Sequence, residues 1–371
     1  MILSDGTIFT GSGFGYSTTV IGEIVFNTGM VGYVETLTDP SYMGQILTLT
    51  YPLVGNYGVP DTSIRDKDGI LVNFESERIQ AKALVVHEFS MTASHWNMSI
   101  TLDEWLYMQK IPAISGIDTR NLTKKLREHG VSMAAVAVSE KEIDEKEILD
   151  QMYAASDYAS ENLVKEASIK TDRTYGNGDE TVVIVDVGAK NAIIRSVLDM
   201  GYKVVIVPWD STIEKILSYK PSGVIISNGP GNPEKCTQTI QTARNLVAKN
   251  VPTLGICLGA QILGLAGGAK TYKLKYGHRG QNKPCINMLD GRVYVTSQNH
   301  GYCISPKSLE NSEFDMWFKN ADDGTVEGIR HKKQKCLAVQ FHPEASPGPF
   351  DCKFVFKELQ SLMNGGAYAK K

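Results

Sequence analysis

The sequence predicts two domains: a small α+β domain, then an α/β domain with a mainly parallel sheet covered by helices. The chain has 371 residues, which is more than one domain of ordinary size. Its first half alternates short β-type runs with turn residues, whereas its second half repeats apolar strand, helix and apolar strand. This change of pattern places the domains at residues 1–165 and 181–371, joined by a polar linker at residues 166–180.

Composition and charge are those of a globular protein that binds neither nucleic acid nor membranes. Hydrophobic residues make up 42% of the chain and charged residues 21%, as in globular proteins, which excludes wholesale disorder. The net charge is 38 − 41 = −3, so no strong field would attract nucleic acid or an anionic membrane. The sequence shows neither an apolar run long enough to span a bilayer nor a secretory signal. A cytoplasmic protein is therefore expected.

The first domain shows several strand patterns and one well-bounded helix. The β-type runs are residues 2–3, 24–26, 46–50 and 83–86. Asp118 or Thr119 would cap a helix that continues to Arg127 and stops at Gly130. The charged stretch at residues 139–152 is typical of an exposed helix. This half carries no familiar catalytic motif.

The second domain is predicted from fully apolar strands separated by helical patterns. The strand runs are residues 182–185, 204–207, 223–226 and 253–256. Such strands are typical of a parallel sheet covered on both faces. Because ligands bind beyond the carboxyl ends of these strands, functional residues are expected in the loops that follow them.

One of the six cysteines has distinctive surroundings. No C-x-x-C or H-x-x-x-H spacing is present, so the sequence predicts no metal site. Cys257, however, lies in G-I-C-L-G between a β-run and a helical pattern, which is the form of a nucleophile elbow. Its two glycines permit a sharp turn, and a helix N-terminus favours the thiolate. The alternative is a buried cysteine at a glycine-rich strand end.

His342 is the candidate general base. It follows the strand pattern at residues 337–341 and precedes Glu344 by two positions, so a carboxylate could orient its ring. His300, in Q-N-H-G, is the alternative base. His278 lies in a basic, glycine-flanked stretch that is typical of a loop. The loop S-N-G-P-G-N-P at residues 227–233 would expose N–H groups for an oxyanion hole, or it is only a tight turn.

These segments resemble known families. GICLGAQ, FHPEASPGP and SNGPGNP resemble the class I glutamine amidotransferases. Other segments are similar to the small, glutaminase chain of carbamoyl phosphate synthetase. These are KLKYGHRGQNKP (273–284), TSQNHGY (296–302), TLTDPSYMGQILTLTYPLVGNYG (36–58) and SGIDTRNLTKKLREHG (115–130). The resemblance covers nearly the whole chain, including the first domain, which other amidotransferase families lack.

The resemblance implies specific roles for residues of both domains. Cys257 would attack the side-chain amide of glutamine, with His342 as acid and base and Glu344 orienting it. Backbone N–H groups of Gly229 and Leu258 would form the oxyanion hole. The other residues implied to bind glutamine are Ser41, Gly231, Gln261, Asn299, Gly301 and Tyr302. The chain departs from the family pattern at Ala260, where relatives often have histidine, and at Tyr302, where phenylalanine is common.

The sequence shows no recognisable ATP site, since G-x-x-x-x-G-K-[ST] and G-x-G-x-x-G are both absent. No cofactor is therefore expected in this chain. The resemblance implies a large synthetase chain as partner, in a heterodimer or an assembly of heterodimers. That chain would bind ATP and magnesium and use the ammonia to make carbamoyl phosphate for pyrimidine and arginine synthesis. The alternatives are a subunit of another amidotransferase, an independent cysteine hydrolase and a non-catalytic regulatory subunit.

Overall fold

The computed structural model describes residues 1–366, which belong to two compact units. The first unit is Met1–Glu161, and the second begins at Asn162. No helix within the described residues is long and apolar enough to cross a bilayer.

The first unit is built on a mixed sheet. Its strands are β1 (Ile2–Leu3), β2 (Ser12–Gly15), β3 (Thr19–Asn27), β4 (Gln45–Leu49), β5 (Leu53–Val54), β6 (Ala83–Val85), β7 (Glu88–Phe89), β8 (Pro112–Ser115) and β9 (Ser132–Ala137). The main sheet has the order β1-β9-β3-β4-β6-β8-β2, with parallel pairing from β3 through β8 and antiparallel pairing at both edges. Strands β5 and β7 form a separate parallel pair.

Four helices accompany this sheet in residues 1–161. They are α1 (Tyr33–Thr38), α2 (Leu102–Met108), α3 (Thr119–His129) and α4 (Glu145–Ala154). Helix α3 confirms the predicted boundaries, because Asp118 accepts a hydrogen bond from the N–H of Asn121 and Gly130 ends the helix with φ 97°. Helix α4 begins later than predicted, because Asp144 rather than an earlier residue caps it. Its Ile148 and Met152 pack into the unit, so only its other face is exposed.

The second unit contains the remaining strands and helices. Its strands are β10 (Arg173–Tyr175), β11 (Thr181–Asp186), β12 (Lys203–Pro208), β13 (Gly223–Ile226), β14 (Thr253–Ile256), β15 (Thr271–Asn287), β16 (Val293–Ile304), β17 (Phe314–Asn320), β18 (Val326–His331) and β19 (Cys336–Val339). Its helices are α5 (Val164–Ala167), α6 (Asn191–Leu198), α7 (Ile213–Ser218), α8 (Thr237–Ala248), α9 (Leu258–Ala266), α10 (Pro306–Leu309) and α11 (Phe354–Met363).

These strands form one sheet with a parallel centre and an antiparallel extension. Among the described residues its order is β10-β12-β11-β13-β14-β19-β18-β17-β15-β16. The five strands of its centre, β12-β11-β13-β14-β19, are parallel to one another. The predicted apolar strands all lie in this centre, where every residue of β11, β13 and β14 is buried. The extension from β18 to β16 is antiparallel, and the sequence pattern did not predict it.

The segment predicted as a linker, residues 166–180, is partly paired with the second sheet. Arg173, Thr174 and Tyr175 pair antiparallel with β12 at the edge of the second sheet. An exposed edge strand tolerates the polar composition that suggested a linker, because one side of such a strand faces solvent. The division between the units accordingly lies earlier, after Glu161.

Candidate active site

Cys257 occupies the sharp turn between strand β14 and helix α9. Its backbone has φ 53° and ψ −103°, which is uncommon for a residue with a side chain. The thiol is buried and donates to the carbonyl oxygen of Asn299 at 3.7 Å. The side-chain amide of Gln340 donates to the sulfur, also at 3.7 Å. The strand–turn–helix setting of a nucleophile elbow is therefore present.

The glycines on either side of Cys257 are required by close packing. A Cβ atom on Gly259 would lie 2.0 Å from the carbonyl oxygen of Ile226. One on Gly255 would lie 2.6 Å from the carbonyl oxygen of Gly259. Both distances are well inside van der Waals contact, so a side chain at either position would separate helix α9 from the strands beneath it. The G-x-C-x-G spacing thus serves packing as well as the turn.

His342 follows β19 and is held by its backbone and by its ring. Its backbone N–H donates to the carbonyl oxygen of Ser297 at 2.9 Å. Ring atom Nδ1 lies 2.6 Å from Oε1 of Glu344, which assigns the Nδ1 proton to that hydrogen bond. Ring atom Nε2 is buried and makes no hydrogen bond within residues 1–366. It is the atom available to exchange a proton with a neighbouring thiol.

Glu344 has a second cationic neighbour in Lys190. The Nζ atom of Lys190 lies 3.1 Å from Oε1 of Glu344, and it also donates to the carbonyl oxygen of Ala345. Both side chains are almost completely removed from solvent. An unpaired buried lysine or glutamate tends to lose its charge, so this contact lets each keep the other ionised.

The charges of this cluster shift its pKa values in opposite directions. Burial opposes the charged form of His342, but the Glu344 carboxylate and the Cys257 sulfur outweigh it and raise the imidazole pKa above 6.5. Burial likewise opposes the ionised form of Glu344, yet Lys190 and His342 lower its pKa below 4.5. The site therefore stabilises a protonated imidazole beside an ionised carboxylate.

Gly229 lies near the start of helix α9. A Cβ atom on Gly229 would lie 1.9 Å from the carbonyl oxygen of Val187 and 3.1 Å from Cδ2 of Leu258. The backbone N–H groups of Gly229 and Leu258 donate no hydrogen bond within the described part of the chain. Free amides near a buried thiol are what an oxyanion hole requires. Their assignment to that role stays a prediction.

Several residues predicted to bind glutamine lie on α9 and β16. The side-chain amide of Gln261 donates to the carbonyl oxygen of Tyr302 at 2.8 Å and to Oε1 of Gln340 at 3.0 Å. Asn299 contacts the thiol through its carbonyl oxygen, and Gly301 lies between Asn299 and Tyr302 on the same strand. Helix α9 and strand β16 are thereby tied together beside the thiol.

Gly231 and Ser41 complete the predicted set. Gly231 lies in the loop after β13 with φ 88°, which favours glycine. Ser41 is buried in the first unit, in the 3₁₀ turn Pro40–Tyr42, where its backbone N–H donates to the Asp39 carboxylate at 2.9 Å. The contacts of these residues with glutamine stay predictions.

The two other histidines singled out from the sequence lie together in the antiparallel extension. His300, the alternative base, has its ring against His278, with centroids 5.0 Å apart. The loop expected around His278 is wrong, because this residue lies within strand β15 and is buried. Strand β15 escaped detection because the register shifts at glycine-containing bulges interrupt the alternation of apolar and polar residues.

Lys190 and Gln340 are site residues that sequence reasoning missed. Lys190 follows β11, so the rule that functional residues follow parallel strands could have found it. Gln340 stands two positions before His342, at the end of an apolar run, where a buried amide needs a polar partner. Its partners are Gln261 and Cys257.

The chain matches known families over both units. Residues 183–362 match the glutamine amidotransferase class-I family, and residues 1–136 match the CPSase domain of the carbamoyl-phosphate synthase small chain. The carbamoyl phosphate synthase small chain of Pyrococcus furiosus is 45% identical over 98% of this chain and 97% of its own length. The small chain of Sulfolobus acidocaldarius is 45% identical over 98% of this chain and 96% of its own length. The multifunctional protein CAD of Squalus acanthias is 46% identical over 96% of this chain and 16% of its own length.

Proposed function

The chain belongs to the carbamoyl phosphate synthase small chain family, the glutamine-hydrolysing subunits of that enzyme, and from this premise we propose how its residues hydrolyse glutamine. Cys257 is the nucleophile, His342 is the acid and base, and Glu344 orients the imidazole. The observation that carries this proposal is the buried thiol at an elbow beside a histidine whose other ring nitrogen is bonded to a carboxylate.

The reaction proceeds through a covalent intermediate. The Cys257 thiolate attacks the carboxamide carbon of L-glutamine and forms a tetrahedral oxyanion. His342 then donates a proton to the amide nitrogen, the C–N bond breaks, and ammonia leaves a γ-glutamyl thioester. Water that gives its proton to the same imidazole attacks the thioester, releasing L-glutamate and the thiolate.

The surrounding groups stabilise the charges that appear along this path. Glu344 fixes the Nδ1 proton, so Nε2 is the atom that exchanges protons with the thiol and the leaving amide. The backbone N–H groups of Gly229 and Leu258 would bind the oxyanion, and removal of one such donor typically costs about 10²–10³ in kcat. Ser41, Gly231, Gln261, Asn299, Gly301 and Tyr302 would hold the rest of glutamine.

We propose that a partner chain consumes the ammonia. The family assignment implies a large chain as that partner and glutamine as the substrate. We assign ATP and magnesium to the large chain, since this sequence contains no phosphate-binding loop. Ammonia passes to the large chain, which makes carbamoyl phosphate from bicarbonate for pyrimidine and arginine synthesis. A heterodimer, or an assembly of heterodimers, is the expected form.

The test is glutamate release from glutamine by the purified chain, with and without the large chain, ATP and bicarbonate. We expect Cys257→Ser to abolish release and to abolish the γ-glutamyl adduct that acid quenching traps on the normal chain. Cys352→Ser is the matched control, because Cys352 is also buried and burial raises its pKa to about 12, which keeps its thiol protonated.

Three outcomes would count against parts of the proposal. Near-normal turnover by Cys257→Ser would remove Cys257 as the nucleophile. Release that ignores the large chain would point to an independent amidase. No release by the normal chain under either condition would favour a regulatory subunit.

A further inference from the structure

A second group of buried ionisable side chains lies in the antiparallel extension. His278 on β15, His300 on β16 and Glu327 on β18 are each buried. One ligand atom from each lies within 4.8 Å of the other two. These residues are outside the set that hydrolyses glutamine, although His300 is adjacent in sequence to Asn299.

Each imidazole is hydrogen-bonded on the side away from this centre. Nε2 of His278 lies 2.8 Å from a carboxylate oxygen of Asp323, and Nδ1 of His300 lies 2.9 Å from the carbonyl oxygen of Tyr302. In the neutral form of each ring, an acceptor at these positions takes the ring proton, and the opposite nitrogen then carries a lone pair. Histidines that bind metals are held in this way by carboxylates and carbonyl groups.

The two remaining nitrogens converge on Glu327. Nδ1 of His278 lies 3.4 Å and Nε2 of His300 lies 3.8 Å from Oε1 of that carboxylate. Nδ1 of His278 and the other carboxylate oxygen, Oε2, are buried and have no hydrogen-bond partner among the described residues. Glu327 also forms no ion pair with a lysine or arginine of residues 1–366. Oε1 accepts hydrogen bonds from the Asn320 amide at 3.3 Å and the Thr325 hydroxyl at 3.2 Å. Both imidazole nitrogens nevertheless face the buried carboxylate, which is unfavourable unless a proton or a metal ion lies between them.

A proton satisfies only part of this arrangement. Protonation of His278 would pair its Nδ1 with Glu327, but the lone pair of His300 would still face the carboxylate. The side-chain oxygen of Gln298, 3.4 Å from Nε2 of His300, is a further acceptor at the same place. A metal ion would accept electron pairs from both histidines and from Glu327 together.

We propose that His278, His300 and Glu327 bind one divalent first-row transition-metal ion of the Zn²⁺ type. Two imidazoles and one carboxylate suit Zn²⁺ or Co²⁺, whereas Mg²⁺ and Ca²⁺ prefer oxygen ligands. Tetrahedral Zn²⁺ bonds hold ligand atoms about 3.3–3.5 Å apart, so the 3.4 and 3.8 Å separations between Glu327 and the imidazoles are close to that geometry. The two imidazole nitrogens, which lie within 4.8 Å of each other, would move together when the ion binds. The fourth position would take water or Gln298. Asp323 would act as a positioning residue.

The expected role of this metal is structural. It would join strands β15, β16 and β18, and β16 also carries Asn299, Gly301 and Tyr302. The sequence prediction of no metal site was based on closely spaced ligand patterns. The three ligands here stand 22 and 27 positions apart, so only the fold brings them together. This proposal does not depend on the reaction at Cys257.

The test uses Co²⁺ as a spectroscopic probe in the full chain. Cys257→Ser serves as the host, so that the nucleophilic thiol cannot bind the metal. After treatment with a chelator, we expect the host to take up one Co²⁺ per chain. Its visible d–d bands should have tetrahedral intensity, without the charge-transfer band of a thiolate ligand. Elemental analysis of the same samples gives the stoichiometry.

Glu327→Gln in this host should weaken Co²⁺ binding by more than about 100-fold, since it removes a charged ligand. Asp323→Asn should weaken it by about 10–100-fold, as loss of an outer partner does. Glu23→Gln is the matched control, because Glu23 is a buried glutamate of the first unit. Far-ultraviolet circular dichroism verifies folding, and Asp323→Asn provides the test if Glu327→Gln does not fold.

Failure of the folded host to bind Co²⁺ would overturn the proposal and leave a protonated His278 as the counter-charge of Glu327. Equal binding by the host and the tested variant, Glu327→Gln or Asp323→Asn, would also overturn it, because the metal would then lie elsewhere. Binding lost in the control Glu23→Gln as well would mean that the effect is not specific to this cluster.

Discussion

Two buried glutamates of the second unit, Glu344 and Glu327, both face histidines but differ in their counter-charges. Glu344 has Lys190 at 3.1 Å and His342 at 2.6 Å. Glu327 has His278 at 3.4 Å and no lysine or arginine pair within residues 1–366. Burial raises the pKa of Glu327 above 4.5, although the nearby His278 imidazole and the hydrogen bonds from Asn320 and Thr325 oppose the shift. Lys190 and His342 instead overcome burial and lower the pKa of Glu344.

The difference shows what a built-in cation does for a buried carboxylate. Lys190 keeps Glu344 ionised without outside help, so the carboxylate can orient and charge an imidazole at neutral pH. Glu327 has no lysine or arginine partner in residues 1–366, so its ionised form depends on the hydrogen bonds from Asn320 and Thr325 together with a proton on His278 or a bound metal ion. One cluster suits catalysis, and the other suits binding of a cation.

The largest expected effect follows from removing the charge of Glu344. Glu344→Gln should lower kcat by about 10²–10⁴, since a neutral amide no longer stabilises the imidazolium or fixes its tautomer. The pKa of His342 should fall, because the carboxylate that raises it is gone. Steady-state glutaminase assays and an NMR titration of the His342 ring measure the two effects. An unchanged His342 pKa in a folded variant would contradict the assigned pairing.

The next largest effect is expected on the free energy of unfolding of Lys190→Met. It leaves Glu344 buried with one cationic partner fewer, and breaking a buried ion pair costs about 3–5 kcal/mol in the free energy of unfolding. Urea unfolding of this variant and of the double variant Lys190→Met/Glu344→Gln measures the coupling. The double variant should lose less stability than the two single variants together. Simple additivity would show that Lys190 does not act through Glu344.

The Glu327 cluster should respond to metal instead. With metal at 100 times its dissociation constant, the chain should gain about 2.7 kcal/mol over the stripped chain. Glu327→Gln should abolish most of this gain, whereas Lys190→Met should retain it. Urea unfolding with and without Zn²⁺ in the Cys257→Ser host measures both. A gain that disappears only with Lys190→Met would reverse the assignment of the two clusters.

The smallest effect is a difference in pH dependence. The lowered pKa of Glu344 contributes stability above pH 4.5 that is lost as pH falls toward its folded value. The raised pKa of His342 contributes stability below pH 6.5 that is lost as pH rises through about 10. Glu327 has the opposite effect to Glu344, because its pKa is raised. Without metal, the free energy of unfolding therefore falls as pH rises above 4.5 and the carboxyl of Glu327 ionises more readily in the unfolded chain.

This sign difference can be measured in urea titrations of the metal-free chain. Between pH 6 and pH 4, the destabilisation caused by Glu344→Gln should shrink, following the linkage of pKa and stability. As pH falls over the same interval, the free energy of unfolding of Glu327→Gln should decrease relative to that of the unsubstituted chain. Parallel pH profiles for the two variants would mean that the carboxylates do not differ in their folded pKa values.

The parallel centre of the second sheet could be predicted because burial on both faces leaves uninterrupted apolar runs. Strands β13 and β14 match their predicted bounds, residues 223–226 and 253–256. The elbow and His342 with Glu344 were also predictable, since these residues lie close in sequence and directly follow such strands. Local spacing then reflects local geometry.

The antiparallel extension could not be predicted in the same way. Strand β15 mixes buried and exposed positions irregularly because bulges shift its register twice. His278, Glu327 and Lys190 find their partners on other strands, at sequence separations that carry no repeating pattern. Only the fold determines those contacts, so neither the second cluster nor the counter-charge of Glu344 was apparent from the residues alone.

The backbone of Cys257 has a consequence for the evolution of such chains. A residue with a side chain held at φ 53° and ψ −103° stores about 1–3 kcal/mol of strain that glycine would not experience. Cys257→Gly would therefore remove the proposed nucleophile and relax the backbone of the turn. The backbone of this turn therefore favours glycine, and the proposed chemistry of the thiol is what requires a cysteine, so we expect the cysteine to be retained where selection for activity maintains it.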